Sequence, residues 1–273
     1  MDKESFIAEA VKFTLESPGN YVSEKIAILP SYAGMKMFES PIFSFGPADD
    51  ELYERYKGFD IIGDNFFPPC EWLPTAKTVI SFFLPYTERI KSANARDFQW
   101  PAGEWLHGRI EGQVFINDLS RHMENLLSEA GHKSVIPALD ARFQVGNASN
   151  KYASNWSERH VAFACGLGTF GLSKGLITEK GICGRFGSII TEMDLPKNSR
   201  PYNDVYEYCS KCGVCVTHCP VNAISLENGK KHQPCSDFLD HTREKERPRY
   251  GCAKCQVKVP CESGIPNGRS ASA

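Results

Sequence analysis

The sequence lacks the features that would place the protein in a membrane or on a secretory route. No apolar run approaches the roughly 20 residues that a membrane-spanning helix needs, and the longest, around residues 79–85, has the length of a strand. Residues 1–5 contain neither a basic start followed by an apolar segment nor a twin-arginine signal. We therefore expect a cytoplasmic protein without membrane contacts.

A strong charge imbalance is also missing. The chain has 31 Lys and Arg against 33 Asp and Glu, a formal net charge of −2 at pH 7. This balance argues against nucleic-acid binding through a general basic field. The hydrophobic fraction of 41% and the charged fraction of 23% are ordinary for a globular protein, and 273 residues suffice for one large domain or two smaller ones.

Cysteine is what the sequence has in excess, and most of its 11 cysteines lie in the last quarter of the chain. The run from Cys209 to Pro220 has the C-x2-C-x2-C-x3-C-P spacing of bacterial ferredoxins. The cysteines that follow it complete the number needed for two 4Fe–4S sites; they are Cys235, Cys252, Cys255 and Cys261. Because the cytoplasm keeps thiols reduced, we expect these cysteines to bind metal rather than to form disulfides.

The spacing also suggests which cysteines share a cluster. Gaps of two residues let three consecutive cysteines reach three corners of one cube, whereas the fourth points away. The interlocked ferredoxin pattern assigns cluster one to Cys209, Cys212, Cys215 and Cys261, and cluster two to Cys219, Cys235, Cys252 and Cys255. Cys261 departs from that pattern, because it follows Pro260 and lies six residues after Cys255. Two zinc sites are the alternative, but zinc sites usually show paired C-x2-C motifs.

Hydrophobic periodicity predicts alternating helices and strands up to about residue 195, and hence an α/β or α+β sandwich around one sheet. Helices are predicted over residues 4–16, 113–130 and 155–165, the last capped by Asn155. Strands are predicted over residues 26–29, 78–84, 134–139 and 186–191. The predicted domains are residues 1–200 and 201–267, followed by a flexible tail over 268–273.

Residues 166–171 have the G-x-G-x-x-G spacing of dinucleotide-binding loops, but they follow a predicted helix rather than a strand. We therefore reject a dinucleotide site. Two interpretations stay open: the glycines let the backbone pass close to a large flat ligand, or they only form turns. Outside the cluster region, Cys70, Cys165 and Cys183 are expected in the core, where free cysteines are common.

The region around these glycines resembles the core shared by epoxyqueuosine reductases and corrinoid-dependent reductive dehalogenases. The residues that carry the resemblance, together with the cluster cysteines, are Arg159, His160, Gly166, Leu167, Gly168, Gly171, Leu176, Ile177, Thr178, Gly181, Arg185 and Thr191. It is strong over residues 150–261 and extends in outline to residues 71–81. It implies an α+β fold, in which a nitroreductase-like α/β sandwich domain holds a corrinoid (cobalamin) and a ferredoxin-like module follows.

The resemblance also implies an oxidoreductase. Electrons from a reduced ferredoxin or flavodoxin-type donor would pass through cluster two and then cluster one to the corrinoid. The acidic proton donor of epoxyqueuosine reductases falls on Tyr152, and a tyrosine is the donor in reductive dehalogenases. We therefore predict Tyr152 as the catalytic acid, with a packed aromatic side chain as the alternative. The residues predicted to hold the corrinoid are Arg159, His160, Gly166, Leu167, Gly168, Gly171 and Lys174.

The substrate expected at this stage is a small organic molecule rather than tRNA. The sequence lacks the additional C-terminal domain with which many epoxyqueuosine reductases hold tRNA, and its charge is nearly neutral. Two alternatives to a corrinoid reductase stay open. One is an electron carrier that reduces a partner, for example to reactivate a corrinoid protein, and the other is a reductase of the same fold that uses flavin or the clusters alone. A corrinoid enzyme would have a cavity beside cluster one, lined by residues 166–171 and Tyr152.

Overall fold

The computed structural model describes residues 1–146 and 151–266, so the predicted tail over 268–273 lies outside the described residues. The helices are α1 Lys3–Glu16, α2 Glu51–Arg55, α3 Pro69–Trp72, α4 Glu88–Asn94, α5 Gly103–Glu129, α6 Glu158–Ala164, α7 Val214–Thr217 and α8 His232–Glu246. The strands are β1 Ile42–Pro47, β2 Thr78–Pro85, β3 Ser134–Val135, β4 Gly168–Phe170, β5 Leu176–Thr178, β6 Gly184–Thr191, β7 Ile224–Ser225 and β8 Gly229–Lys230.

A four-stranded antiparallel sheet organises the first two hundred residues. Its strand order is β1-β2-β6-β3, and the two long inner strands pair over eight residues, from Thr78 opposite Thr191 to Pro85 opposite Gly184. The edge strand β3 is short and pairs only with Thr191 and Ile190 of β6. Most of the outer edge of β6 is therefore left without a partner strand.

Helices and loops cover both faces of this sheet. On one face, α1 and α5 pack through Phe6, Phe115 and Leu119 against alternate residues of β2 such as Phe82. On the other face, the opposite residues of the strands, Val79 and Ile190, pack against α6 and aromatic residues of the preceding loops. Burial on both faces explains why β2 reads as a continuous apolar run rather than an alternating one.

The cysteine region that follows the sheet is built differently. Its regular elements are the short α7, the β7–β8 hairpin and α8, in which Thr242 is the buried residue. Its apolar contacts reach back to the sheet region through Tyr202, Tyr208, Ile224 and Val259. The predicted mixed helix and sheet architecture followed by a cysteine module is therefore confirmed.

Several predicted elements differ from the observed ones. The strand predicted over 26–29 is wrong, because the structure has turns there, and the long strand β1 was not predicted. The helix predicted over 113–130 begins ten residues earlier, at Gly103. The strand predicted over 134–139 ends at Val135, since Pro137 begins a 3-10 turn. Asn155 does not cap α6; its side chain bonds the backbone of Gln144 and Arg142.

Among the residues that the structure describes, no helix combines the length and the apolar character needed to cross a bilayer. Of the three cysteines expected in the core, Cys165 and Cys183 are buried. Cys70 is exposed, so that expectation is wrong for this residue. It lies in the first turn of α3, a four-residue helix whose buried side is formed by Pro69 and Trp72.

Candidate cluster sites and adjoining cavities

The cysteines assigned to cluster one lie around one small cavity, and together they are called the first cysteine set: Cys209, Cys212, Cys215 and Cys261. Gly171, Leu172 and Ile177 close the cavity from the sheet region. Cys212 is exposed, whereas Cys209 is buried. The first set therefore reaches from the protein surface to the interior.

The other four cysteines form the second cysteine set: Cys219, Cys235, Cys252 and Cys255. The thiolates of Cys235 and Cys219 both act on the pKa of Cys255, and those of Cys255 and Cys235 act on the pKa of Cys252. Cys255 also lines the cavity of the first set. The two sets are therefore neighbours, with Cys255 close to both. The grouping of the cysteines and the role of each as a ligand stay predictions.

Burial makes isolated thiolates unfavourable in both sets. Desolvation, followed by repulsion from neighbouring thiolates, raises the pKa of the Cys215, Cys252 and Cys261 thiols to about 12. Metal binding supplies the positive charge that holds such thiols deprotonated. Within residues 1–146 and 151–266, no three His, Cys, Asp or Glu side chains are arranged around a single metal ion. A 4Fe–4S cube takes one thiolate on each iron, so its ligands stand further apart.

A cavity of about 570 Å³, called here the first cavity, opens beside the free edge of β6. Its walls come from residues 184–188 of β6, from α5, from residues 136–143 and from the start of α6. The cavity exists because β3 ends after two residues and leaves this part of β6 uncovered. Its volume falls within the range of about 300–1,000 Å³ that is usual for ligand and cofactor sites.

Two arginines and an amide side chain line this cavity. Arg185 donates from its Nη2 to the Oε1 of Gln113, which reaches across from α5. Arg109 packs its guanidinium on the Tyr250 ring, with 4.2 Å between the guanidinium carbon and the ring centroid. Guanidinium and amide groups are hydrogen-bond donors, so this wall suits a ligand rich in acceptor oxygens.

Glu158 is the acidic residue of the first cavity. Its Oε2 accepts a hydrogen bond from the Ser188 hydroxyl at 2.6 Å, and the Ser188 oxygen accepts one from the indole of Trp156 at 2.9 Å. Desolvation raises the pKa of Glu158 to about 7, although these hydrogen bonds oppose the change. The carboxyl group therefore exchanges its proton near neutral pH.

The second cysteine set adjoins the first cavity. Gln256, the residue after Cys255, forms part of the cavity wall. Arg159 lines the cavity as well, and the thiolates of Cys255 and Cys235 oppose the lowering of its pKa by burial. Ile182 lines both the first cavity and the cavity of the first cysteine set, so both sets adjoin the first cavity.

A second cavity, of about 420 Å³, lies on the other side of Arg159. Its basic lining residues are Arg55, Arg159 and Lys174, its acidic residue is Asp60, and its aromatic residues include Tyr56, Phe170 and Tyr206. In the described part of the chain, none of the three basic side chains forms an ion pair. Burial and neighbouring cations lower the pKa of Lys174. The second cavity is therefore a concave cationic surface with aromatic walls.

Four of the residues predicted as site residues meet in this second cavity: Tyr152, Arg159, His160 and Lys174. The Tyr152 hydroxyl donates to Gln233 Oε1 at 2.9 Å, and its ring stacks on His232 at a centroid distance of 5.0 Å. Lys174 donates to the Nε2 of the same histidine at 3.1 Å. Burial, followed by repulsion from Arg159 and Lys174, lowers the pKa of His160 to about 3.

The predicted glycines do not line either of the two large cavities. Gly166 has a φ of +91°, and a Cβ there would lie 2.6 Å from the Ser199 carbonyl oxygen. A Cβ on Gly168 would collide with the Ile177 carbonyl of the paired strand β5. Leu167 is buried in the core, and Gly171 lies at the cavity of the first cysteine set. Among the described residues, these glycines serve turns and close strand contacts. The second cavity does join Tyr152 to the segment 166–171, but through Phe170 and not through the glycines.

Most residues that line the first cavity were not predicted from the sequence. Arg109, Gln113, Asn117 and Ser120 recur at helical spacing along α5, on a different side of the helix from Leu119 and Met123. A polar stripe on a helix with a buried face is a readable signal, but only the apolar stripe was used. Gln256 had no signal beyond its place next to a cysteine.

The cysteine region matches a known protein family. Residues 202–225 match the 4Fe-4S binding domain family, which covers Cys209, Cys212, Cys215 and Cys219. The cysteine region is therefore an iron–sulfur module of the ferredoxin type. The matched segment is short and does not include the sheet region.

The sheet region and the module together are similar to epoxyqueuosine reductases. The chain is 26% identical to the epoxyqueuosine reductase of Vibrio cholerae over 206 residues, which are 70% of this chain and 52% of that protein. The chain thus spans about half the length of the curated relatives it matches. The resemblance predicted from residues 150–261 is confirmed.

Solved structures show the same fold. One is an epoxyqueuosine reductase with a tRNA-Tyr stem loop modified with epoxyqueuosine, at a TM-score of 0.54, 19% identity, and coverage of 97% of this chain and 66% of that one. Another is a reductive dehalogenase described with a B12-dependent mechanism, at a TM-score of 0.52, 14% identity, and coverage of 83% and 30%.

These likenesses correct the prediction about partners. We expected a small organic substrate, supplied with electrons by a ferredoxin or flavodoxin, and not tRNA. The similar structure that contains a tRNA stem loop, and the curated relatives that are epoxyqueuosine reductases, contradict the small substrate and the exclusion of tRNA. The electron donor stays a prediction. The error came from reading net charge over the whole chain, whereas the basic residues of the second cavity are concentrated locally.

Proposed function

We propose that this protein is an iron–sulfur reductase of the epoxyqueuosine reductase type, which passes electrons through two 4Fe–4S clusters into the first cavity. The observation that carries the proposal is that the cysteine sets lie next to a cavity with arginine, amide and carboxyl groups in its lining. Ile182 lines both this cavity and the cavity of the first cysteine set, and Gln256 brings the residue after Cys255 into its wall. An electron carrier needs no such cavity, so the geometry favours an enzyme.

The proposed ligands are the first cysteine set for cluster one and the second cysteine set for cluster two. The exposed Cys212 makes cluster one the accessible end of the pair. Electrons would then arrive at cluster one, move to cluster two and reach the cavity. This order is the reverse of the one that the resemblance implied. The cytoplasm, where thiols stay reduced, is the compartment that suits such a protein.

The first cavity is the proposed cobalamin site. Its Arg109 and Arg185 side chains, the Gln113 and Asn117 amides and the edge of β6 suit a ring that carries many amide groups. A bound corrinoid would supply low-valent cobalt as the reductant of the substrate. The chain's own residues would hold the ring, keep water from it and supply protons. In this proposal, residues 1–200 form a nitroreductase-like domain and residues 201–267 form the cluster module.

The proposed substrate is an epoxide in tRNA, the type of substrate that the names of the relatives describe. The second cavity supports this proposal, because Arg55, Arg159 and Lys174 are cations that suit a polyanion. The Phe59 side chain, 95% exposed, stands beside the cavity residue Asp60. Exposed aromatic rings next to basic residues are typical of proteins that bind unpaired RNA bases.

The proposal is tested with protein purified without oxygen. Two clusters require about eight iron atoms per chain, and cobalamin should bind stoichiometrically with a change in its visible spectrum. The reduced protein should convert an anticodon stem loop that carries epoxyqueuosine. Iron content near zero, or no conversion by protein loaded with iron and cobalamin, would contradict the proposal.

A matched pair of variants tests the location of the cobalamin. Arg185→Met removes a donor from the first cavity and should weaken cobalamin binding by on the order of 10-fold or more. Arg121→Met removes an exposed arginine of α5 and should leave the affinity unchanged. Equal affinities in both variants would remove the first cavity from the proposal.

A further inference from the structure

The first cavity has one side chain that can release a proton at neutral pH. Its other charged residues are Arg109, Arg159 and Arg185, which stay protonated throughout the accessible pH range. Asparagine, glutamine and serine supply the remaining polar groups of the described lining. Glu158 is therefore the acid–base group of this cavity.

The hydrogen bonds of Glu158 fix where its proton can be. The Trp156 indole is a donor only, so the Ser188 oxygen accepts its N–H and directs its own proton to Glu158 Oε2. Glu158 also lines the first cavity, so the proton of its neutral form is available to a molecule bound there.

The surroundings of Glu158 raise its pKa, so that the carboxyl group is partly protonated at neutral pH. The elements packed against α6 bring Arg185 on β6 to the cavity, and α5 brings Arg109, while α2, β2 and β4 contribute no charged residue to its described lining. None of these arginines, nor the adjacent Arg159, forms an ion pair with Glu158. Burial therefore dominates and holds the pKa of the carboxyl near neutrality.

We propose that Glu158 donates the proton taken by the oxygen of the substrate when its carbon–oxygen bond is broken. This assignment rests on the proposed function. Two electrons, delivered singly by a low-potential reductant through the clusters, break the first carbon–oxygen bond and leave an electron pair on the carbon. That pair forms a carbon–carbon double bond as the second carbon–oxygen bond breaks. The oxygen leaves as water after it has taken one proton from Glu158 and one from solvent, and Glu158 recovers its proton from solvent.

Tyr152 is the competing acid, since the sequence placed the proton donor of the related enzymes at its position. The structure puts Tyr152 in the second cavity, with its hydroxyl donating to Gln233. Glu158, by contrast, shares a wall with the residues that adjoin the second cysteine set. The two assignments therefore predict different results for the same substitutions.

The experiment compares wild type with Glu158→Gln, Glu158→Asp and Tyr152→Phe, all loaded with clusters and cobalamin. Single-turnover reduction of the epoxyqueuosine stem loop is followed with dithionite from about pH 6 to about pH 9. The wild-type rate should fall above the pKa of Glu158. Glu158→Gln, which can still accept the Ser188 hydrogen bond, should be on the order of 100-fold slower or more and should lose this limb. Glu158→Asp should restore part of the rate, and Tyr152→Phe should keep the limb.

A second readout does not depend on turnover. Infrared difference spectra of the wild type should show a protonated carboxyl band that titrates near pH 7, as the pKa of Glu158 requires. The band should be absent from Glu158→Gln and present in the matched control Glu124→Gln, a partly buried acid on α5.

Several results would overturn the assignment. An active wild type with an unchanged pH profile in Glu158→Gln would do so while leaving the proposed function intact. Loss of the limb in Tyr152→Phe alone would move the proton donor to the second cavity. A slow Glu158→Gln variant without the infrared band in the wild type would reduce Glu158 to a structural role. A loaded wild type that reduces no epoxide would overturn the proposed function and this assignment together.

Discussion

The sheet region and the cysteine region are stabilised by different means. The sheet buries large aromatic and aliphatic side chains on both faces, among them Phe45, Phe82 and Phe115. In the cysteine region, α7 buries no residue and α8 buries Thr242, while the cysteine thiols stand in costly desolvated positions. The comparison teaches that one half of the protein can fold from its own apolar surface, whereas the other half needs metal to hold it.

The largest expected effect is a loss of ordered structure in the cysteine region when the clusters are removed. Cys255→Ala removes a cysteine that lies between both sets, so the clusters should be lost. Amide hydrogen exchange should then rise by on the order of 100-fold or more over residues 201–266, and much less over α5. Cys70→Ala, an exposed cysteine outside both sets, is the control and should change neither region. An equal rise in hydrogen exchange over α5 would show that the sheet region also depends on the clusters for its stability.

A core substitution should destabilise the sheet region and leave the clusters in place. Phe115 is fully buried and stacks on Phe13 and Phe38, with ring centroids 6.1 Å and 5.9 Å away. Phe115→Ala should lower the free energy of unfolding by about 3–5 kcal/mol, because it leaves a cavity. Iron content should stay at the wild-type level, as should both quantities in the exposed control Val114→Ala. Denaturant unfolding with an iron assay measures both, and iron loss in step with stability would contradict the separation.

A smaller effect is expected where the two regions meet. Asn94, at the end of α4, donates to the Cys252 carbonyl at 2.9 Å and accepts from the buried Lys254 at 2.9 Å. Asn94→Ala leaves polar groups of the cysteine region without partners, which should cost about 1–3 kcal/mol and speed the release of iron to a chelator. Asn228→Ala, on an exposed turn, should release iron at the wild-type rate. Identical release rates would mean that the junction does not support the second cysteine set.

The smallest effect concerns a pH dependence of the sheet region that needs no metal. The pKa of Glu158 is raised by burial from its ordinary 4.5 to about 7, so the folded state binds its proton more tightly than the unfolded state does. The resulting stability is complete below about pH 4.5 and is lost as the pH rises through 7. The free energy of unfolding of Glu158→Gln, relative to wild type, should therefore be about 2–3 kcal/mol higher at pH 8 than at pH 5. Thermal unfolding at both values measures this, and a parallel shift at both would contradict it.

The sequence predicted the parts of the molecule that depend on local pattern. Cysteine spacing predicted the iron–sulfur module, since short gaps restrict where thiols can point. The helix α1 and the buried strand β2 followed from their periodicity. The strand β1 was missed because its apolar residues alternate with Ser44 and Gly46 in a segment rich in proline and glycine.

The cavities could not be predicted in the same way, because they depend on contacts between distant segments. Glu158 drew attention only as a partner in a helix cap, although its burial beside Ser188 is what sets its chemistry. Gly166 and Gly168 were predicted to lie near a ligand, but they allow close contacts with the backbone of Ser199 and Ile177. Spacing in the sequence signals that the backbone approaches something closely, but not whether that is a ligand or another strand.

The two-residue length of β3 has an evolutionary consequence. Each further pair of residues joined to β6 would cover more of its edge and narrow the space beside it. Related proteins could thus bind ligands of different size by lengthening or shortening this edge strand, while the inner strands β2 and β6 keep their pairing.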